Sequence, residues 1–278
     1  MNNCKIIAVA NQKGGTAKST TACNLSNALA ATGHRVLCAD MDPQANLSMS
    51  LGIERPNELG ASMHSILSFI MQKDFDGVLP DKSEYIISGK NLDIIPSNTN
   101  LLVTEMNLRN EIGSERVLSE LLESLRFDYT YIVIDTSTAM GNLTINALAA
   151  CDSVIIPVCP EKWAADGVVE VLQTISRIKR KINPRIEVEG ILMTICDERT
   201  GLFKDTKALL DDICKDRVKD RLRVFNTRIP RTVGIGKANY SNISIIEFDK
   251  RSKAAIAYVK LAEEVSGYAS SNEIAATA

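Results

Sequence analysis

The stretch "NQKGGTAKSTT", residues 11–21, constrains the fold more than any other part of the chain. It stands between a β-branched run, "KIIAVAN" (5–11), and a helical pattern over 18–32. A glycine-rich turn from strand to helix is the setting in which backbone N–H groups cradle phosphate. Yet the common spacing G-x-x-x-x-G-K-[ST] is not met. Reading back from Lys18-Ser19, the two required glycines fall on Ala17 and Gln12. Gly14 and Gly15 still let the backbone turn closely. Lys18 supplies a point charge for β- and γ-phosphates, and the Ser19 hydroxyl suits Mg2+. Ala17 is acceptable if its φ is negative; only a positive φ would make its Cβ costly.

The remaining chain reads as strands alternating with helices. Further strand-like runs are 35–40, 92–96, 131–135, 153–158, 189–195 and 223–229. Helical patterns fall at 98–108, 114–126, 164–182, 203–215 and 252–266. Several strands are apolar almost throughout, as buried parallel strands are. The expected fold is α/β, a doubly wound, mostly parallel sheet with helices on both faces. Residues 1–265 read as one domain, with 52–90 an irregular insertion carrying a short helix near 62–72. The small, polar stretch 266–278 reads as a flexible tail. Strand one begins at residue 5, so no N-terminal DNA-reading domain is expected.

Composition places the chain in the cytoplasm: no signal-peptide pattern is present and no apolar run is long enough to span a bilayer. Seven scattered cysteines without a C-x-x-C pair read as reduced core thiols. Net charge is −2, but residues 215–260 carry twelve Lys and Arg against four Asp and Glu, a local +8 that leaves −10 elsewhere. Such a split suggests an anionic partner for one surface.

"KGGTAKST" fits K-G-G-x-x-K-[ST] and resembles the deviant phosphate loop of the ParA/MinD group of P-loop ATPases. In that group a glycine before the second lysine is common but not required. "ADMDPQANLS" (39–48), "NLDIIPSN" (91–98), "YIVIDTS" (131–137), "IPRTV" (229–233) and "DKRSKAAIAYVKLAEEV" (249–265) resemble further family stretches, in family order. The resemblance implies a P-loop NTPase fold and slow hydrolysis of ATP with Mg2+. It implies an ATP-sandwich homodimer in which Lys13 reaches the partner's nucleotide. Lys13, Lys18 and Asp42 would be catalytic, with Asp42 positioning the attacking water. Gly14, Gly15, Thr16, Ala17, Ser19 and Thr20 would complete the phosphate cradle. Ser19, Asp42 and Asp135 would lie at the metal, Asp135 through water. Asp40 reads as orienting the Asp42 loop or the Mg2+ waters, or as a second catalytic carboxylate. Asp197 and Arg199 would flank the adenine opposite Pro230, or belong to a solvated loop. Trp163 reads as a packing residue or a dimer contact. Where the family usually has two prolines after the Asp135 strand, this chain has Ser137-Thr138, which puts the stiffness of that segment in question.

ParA-type relatives bind DNA without sequence preference once ATP has made them dimers. Arg217, Lys219, Arg221, Arg223, Lys237, Lys250, Arg251 and Lys253 are the candidate phosphate contacts, against the alternative of a solvated basic face. The expected role is a nucleoid-associated DNA-partition switch reset by a ParB-type centromere-binding partner. A MinD-type membrane switch would need a basic amphipathic C-terminal helix, which "SGYASSNEIAATA" does not offer. Positioning of a protein cargo on the nucleoid stays open. A nitrogenase-type reductase would need cluster cysteines near "DTSTAMGN", which has none, and no substrate pocket points to an ATP-dependent carboxylase.

Overall fold

Val, Ile and Leu dominate the strand-like runs, and all of these runs but 223–229 pair into one sheet covered on both faces. The computed structural model describes residues 4–72, 76–217 and 222–267. The first half of the chain gives β1 (Lys5–Val9), α1 (Lys18–Ala31), β2 (Val36–Met41), α2 (Asn46–Ser50), α3 (Met63–Ile70), β3 (Ile87–Ser88), β4 (Asp93–Ile95), α4 (Leu101–Asn107) and α5 (Val117–Leu125). The second half gives β5 (Tyr131–Thr136), α6 (Asn142–Ala150), β6 (Ser153–Val158), α7 (Ala164–Lys181), β7 (Glu187–Met193), α8 (Gly201–Asp216), α9 (Val233–Tyr240), α10 (Ile245–Phe248) and α11 (Lys253–Ser266).

The seven strands lie in the order β3-β4-β2-β5-β1-β6-β7. Every pairing is parallel except β3 with β4. Side chains alternate across the pleat, so β1 feeds two cores. Ile6 and Ala8 face a layer that includes Leu118, Leu121 and Val168, from α5 and α7. Ile7 and Val9 face Leu25, Leu29, Tyr258 and Leu261, from α1 and α11. This is the expected doubly wound architecture. Adjacent strands β2, β5 and β1 send their carboxyl-terminal loops to one place, where open α/β sheets bind ligands.

Residues 223–229 do not form the expected strand. The segment starts and ends as one, with Phe225 N–H donating to the Ile191 carbonyl (2.9 Å) and Ile229 N–H to that of Met193 (2.9 Å). Between those points the Asn226 and Thr227 N–H groups turn away to the Glu264 carboxylate, at 3.0 and 2.7 Å. Only single bridges, Ile191 with Val224 and Cys196 with Pro230, remain. Helices α2, α6, α9 and α10 go beyond the patterns read from sequence. Two glycines argue against helix in α9, but the Thr232 hydroxyl caps its first turn by accepting from Gly234 N–H at 3.1 Å.

Candidate nucleotide site at the strand ends

The loop after β1 is tied down on three sides before α1 begins. Asn11 donates to the Pro157 carbonyl (2.7 Å) and accepts from Lys13 N–H (3.0 Å). The Thr194 hydroxyl, just past β7, donates to the Thr16 carbonyl at 3.0 Å. Gly15 is left-handed at φ 74°. Ala17 is left-handed too, at φ 65°. The condition of a negative φ at Ala17 is therefore not met: the loop keeps the backbone shape a glycine would prefer and the alanine carries the strain. Lys18 is buried, and its ammonium donates to the Lys13 carbonyl at 3.3 Å. Burial lowers its pKa, opposed by the Asp135 and Asp42 carboxylates.

The loop after β2 is braced through Asp40. This fully buried carboxylate accepts from Asp42 N–H (3.1 Å), Ser48 N–H (2.9 Å) and the Ser48 hydroxyl (2.7 Å). Ser97, between β4 and α4, donates its N–H to Ser48 Oγ (2.9 Å) and its hydroxyl to the Asp42 carbonyl (2.6 Å). Burial pushes the Asp40 carboxyl up to about 6 against these hydrogen bonds. Of the two readings of Asp40, the geometry matches the one that orients the Asp42 loop.

Asp135 faces Asp40 across the β2–β5 register. It is fully buried, and its carboxylate has only the Ser19 hydroxyl nearby to lower its pKa, with no hydrogen bond of good geometry at either oxygen. Burial, with the Asp40 charge next, holds its pKa well above the usual carboxylate range. A buried carboxylate in that state calls for a cation, and the phosphate loop and Asp42 adjoin it. The residues present thus fit Mg2+ with a nucleotide. A cleft of ≈ 450 Å³ opens here, lined by Gly15 to Thr20, Asp42, Asn46, Met49, Ser50, Thr138, Asn239 and Asn242. Asn239 and Asn242, from α9 and its end, escaped the sequence reading; no motif marks them.

The other candidates lie outside this cleft. Asp197 and Arg199 form a bidentate pair (2.9 Å for each bond) on the loop after β7, close to Pro230 through the Cys196–Pro230 bridge. Lys13 pairs with Glu161, after β6, at 2.8 Å. Trp163 next to it is 61% exposed, which rules out a core-packing role in the single chain. Arg223 reaches Glu189 (3.5 Å) and stacks over Phe225. Arg217 ends α8. Lys237, Lys250, Arg251 and Lys253 are exposed, and among the described residues none of their side chains forms an ion pair; only the Arg251 N–H meets a carboxylate, that of Asp249 (3.1 Å). Lys219, Arg221 and the tail from 268 lie outside the described residues. No helix among those residues is long and apolar enough to cross a membrane.

A strand, a lysine-bearing glycine turn and a helix, with carboxylates on two neighbouring strands, define a P-loop nucleoside triphosphatase. A family model described as AAA domain matches residues 4–188. The sporulation initiation inhibitor protein Soj of Bacillus subtilis is 38% identical over 94% of this chain and 98% of its own. The chromosome partitioning protein ParA of Caulobacter vibrioides is 34% identical over 95% and 94%. A crystal structure of cobyrinic acid a,c-diamide synthase from Mycobacterium smegmatis, with an ATP analogue and magnesium, is 34% identical, with TM-score 0.76 over 94% of this chain and 93% of that one. The chain belongs to the ParA/MinD family of deviant-loop ATPases and hydrolyses ATP with Mg2+.

Proposed function

We propose that this chain is a DNA-partition switch whose ATP-bound dimer holds nonspecific DNA and lets go after hydrolysis. The observation that carries this reading is the basic turn of Lys250, Arg251 and Lys253, exposed and with no side-chain ion pair among the described residues, in a chain 34% identical to a chromosome partitioning ParA. Phosphate contacts need only such cations and no base readout. Dimerisation doubles the charged surface, so a patch too weak alone becomes sufficient. Arg217, Lys219, Arg221, Arg223 and Lys237 are the further candidate phosphate contacts.

In the cleft, Lys18 and the loop N–H groups from Gly14 to Thr20 would hold the β- and γ-phosphates. Ser19, Asp135 and Asp42 would hold Mg2+, which neutralises charge between those phosphates when bound. Asp42, half-buried at the mouth, would accept a hydrogen bond from the attacking water and orient it. Lys13 would leave Glu161 and cross to the partner's nucleotide. Asp197, Arg199 and Pro230 would approach the adenine. The reading includes a ParB-type partner that accelerates hydrolysis, and a cytoplasmic, nucleoid-associated location.

The test is binding to random-sequence duplex DNA with ATP, ADP or no nucleotide, at two salt concentrations. ATP-dependent, salt-sensitive binding should vanish with Lys18→Ala and persist or lengthen with Asp42→Ala. DNA binding indifferent to nucleotide would defeat the gated switch.

A further inference from the structure

The loop that follows Asp135 lacks the prolines usual at 137 and 138, so its stiffness must come from elsewhere. Its two ends are fixed by different groups. On the strand side, the Thr136 hydroxyl donates to the Val9 carbonyl at 2.9 Å. On the helix side, Glu105 of α4 accepts from Asn142 N–H (2.6 Å) and Leu143 N–H (2.8 Å), the first two N–H groups of α6. These donors have no partner inside their own helix. The fit is close: a Cβ on Gly141 would overlap the Glu105 carboxylate. Gly141 itself is extended at φ −88°, so what a side chain here would disturb is the Glu105 carboxylate and not the backbone conformation. Thr144 adds a third tie, its hydroxyl donating to the Ala139 carbonyl at 2.7 Å.

The same short segment has a second attachment. Ser97, four residues before α4, donates to the Asp42 carbonyl. Residues 97–105 thus run from the Asp42 loop to the start of α6. Between these anchors lies Thr138, which lines the cleft and whose Cγ2 would be 4.0 Å from a Cβ on Gly14. Movement of α4 would shift both walls of the cleft at once.

We propose that Glu105 is a positioning residue for ATP hydrolysis: its carboxylate clasps the start of α6 and holds the 137–141 loop in register with Asp42. This rests on the reading that Asp42 and Thr138 face the γ-phosphate. A hydrogen-bonded clasp, unlike a proline pair, can be released by a shift of α4, so hydrolysis is open to control from that helix.

The test compares steady-state ATP hydrolysis with binding of a non-hydrolysable ATP analogue. Glu105→Ala removes the clasp, and Gly141→Ala displaces it from the other side by moving only a flexible carboxylate. Each should lower kcat about five- to tenfold and change analogue affinity by less than about twofold. Glu105→Gln, with one acceptor oxygen left, should fall between. Ser137→Pro with Thr138→Pro, added to Glu105→Ala, should restore most of kcat, since proline stiffens the loop without the clasp. Neither Ser137 nor Thr138 N–H donates a backbone hydrogen bond, so of the loop's ties the prolines remove only those of the Ser137 hydroxyl, to the Ala139 carbonyl (3.2 Å) and Thr144 (3.5 Å). An unchanged kcat in folded Glu105→Ala would overturn the proposal. So would parallel losses of kcat and affinity that the prolines do not rescue. Asp42→Ala is the control: if it retains hydrolysis, the reading of the cleft fails and the clasp with it. If it abolishes hydrolysis while Glu105→Ala has no effect, the clasp alone falls.

Discussion

Replacing Ala17 with glycine should stabilise the nucleotide-free protein. Ala17 sits at φ 65°, where an L-residue with a Cβ is about 1–2 kcal/mol worse off than in right-handed backbone. Glycine removes that penalty, but its freer unfolded chain returns about 0.4–1 kcal/mol. The balance favours glycine by roughly 0.5–1 kcal/mol. For a chain of this length that is a rise in Tm of about 1–4 °C. Thermal unfolding followed by circular dichroism, at fixed protein concentration and without nucleotide, resolves the difference. Ala17→Val should move the other way by at least about 1 kcal/mol, because a β-branched residue tolerates positive φ worst. A lower Tm for Ala17→Gly, or an unchanged one for Ala17→Val, would show that the loop is not left-handed at this position, and the strain argument would be wrong.

Freeing Lys13 by Glu161→Gln should strengthen ATP-driven self-association no more than about fivefold, since half-exposed ion pairs are worth about 1 kcal/mol or less. Sedimentation reads the change, and the single tryptophan, Trp163, gives an independent fluorescence signal beside it. Lys250→Glu with Arg251→Glu should weaken ATP-dependent DNA binding on all sequences alike and flatten its salt dependence, read by anisotropy titrations. Gly190→Ala places a Cβ 2.8 Å from the ring of buried Phe225, and should destabilise by about 1–3 kcal/mol in urea unfolding. Cysteine titration should find two thiols, Cys159 and Cys214, that react in the folded protein, more slowly than a free thiol because partial burial raises both pKa values, and five that react only on unfolding. Burial pushes Cys4 up to about 11 and Cys196 up to about 12, from about 9 in an unfolded chain. Below pH 9 both states keep these protons. Above it the unfolded state loses them first, so stability should fall as pH rises from 9 towards 11, and urea midpoints across that range check it.

Much of the site is legible because its chemistry is local. Gly14, Gly15, Lys18 and Ser19 lie within six residues, and Asp40, Asp42 and Asp135 stand at or just past the ends of strongly apolar runs. What escaped depends on partners distant in sequence. Residues 223–229 have strand composition, but Glu264 on α11 takes two of their N–H groups, and nothing near 226 announces it. Glu105 looks like a solvated helix residue until α6, 37 residues on, is brought under it. The left-handed Ala17 was hidden for another reason. The loop's shape is imposed by ties to Pro157 and Thr194, so the backbone conformation is a tertiary fact that the local sequence opposes. Asn239 and Asn242 reach the cleft from a helix whose glycines hide it.

Both outer edges of the sheet are blunt. At one end β3 offers only two residues, antiparallel to its neighbour. At the other, Ile191, Met193 and Cys196 are already bonded by the broken segment from Arg223 to Arg231. Exposed strand edges are templates for uncontrolled association between chains. Here neither flank offers a long unpaired backbone, so crowding many copies together does not invite them to zip edge to edge. Under the proposed switch, association would be left to the side chains around the strand ends, where a bound nucleotide would set its lifetime.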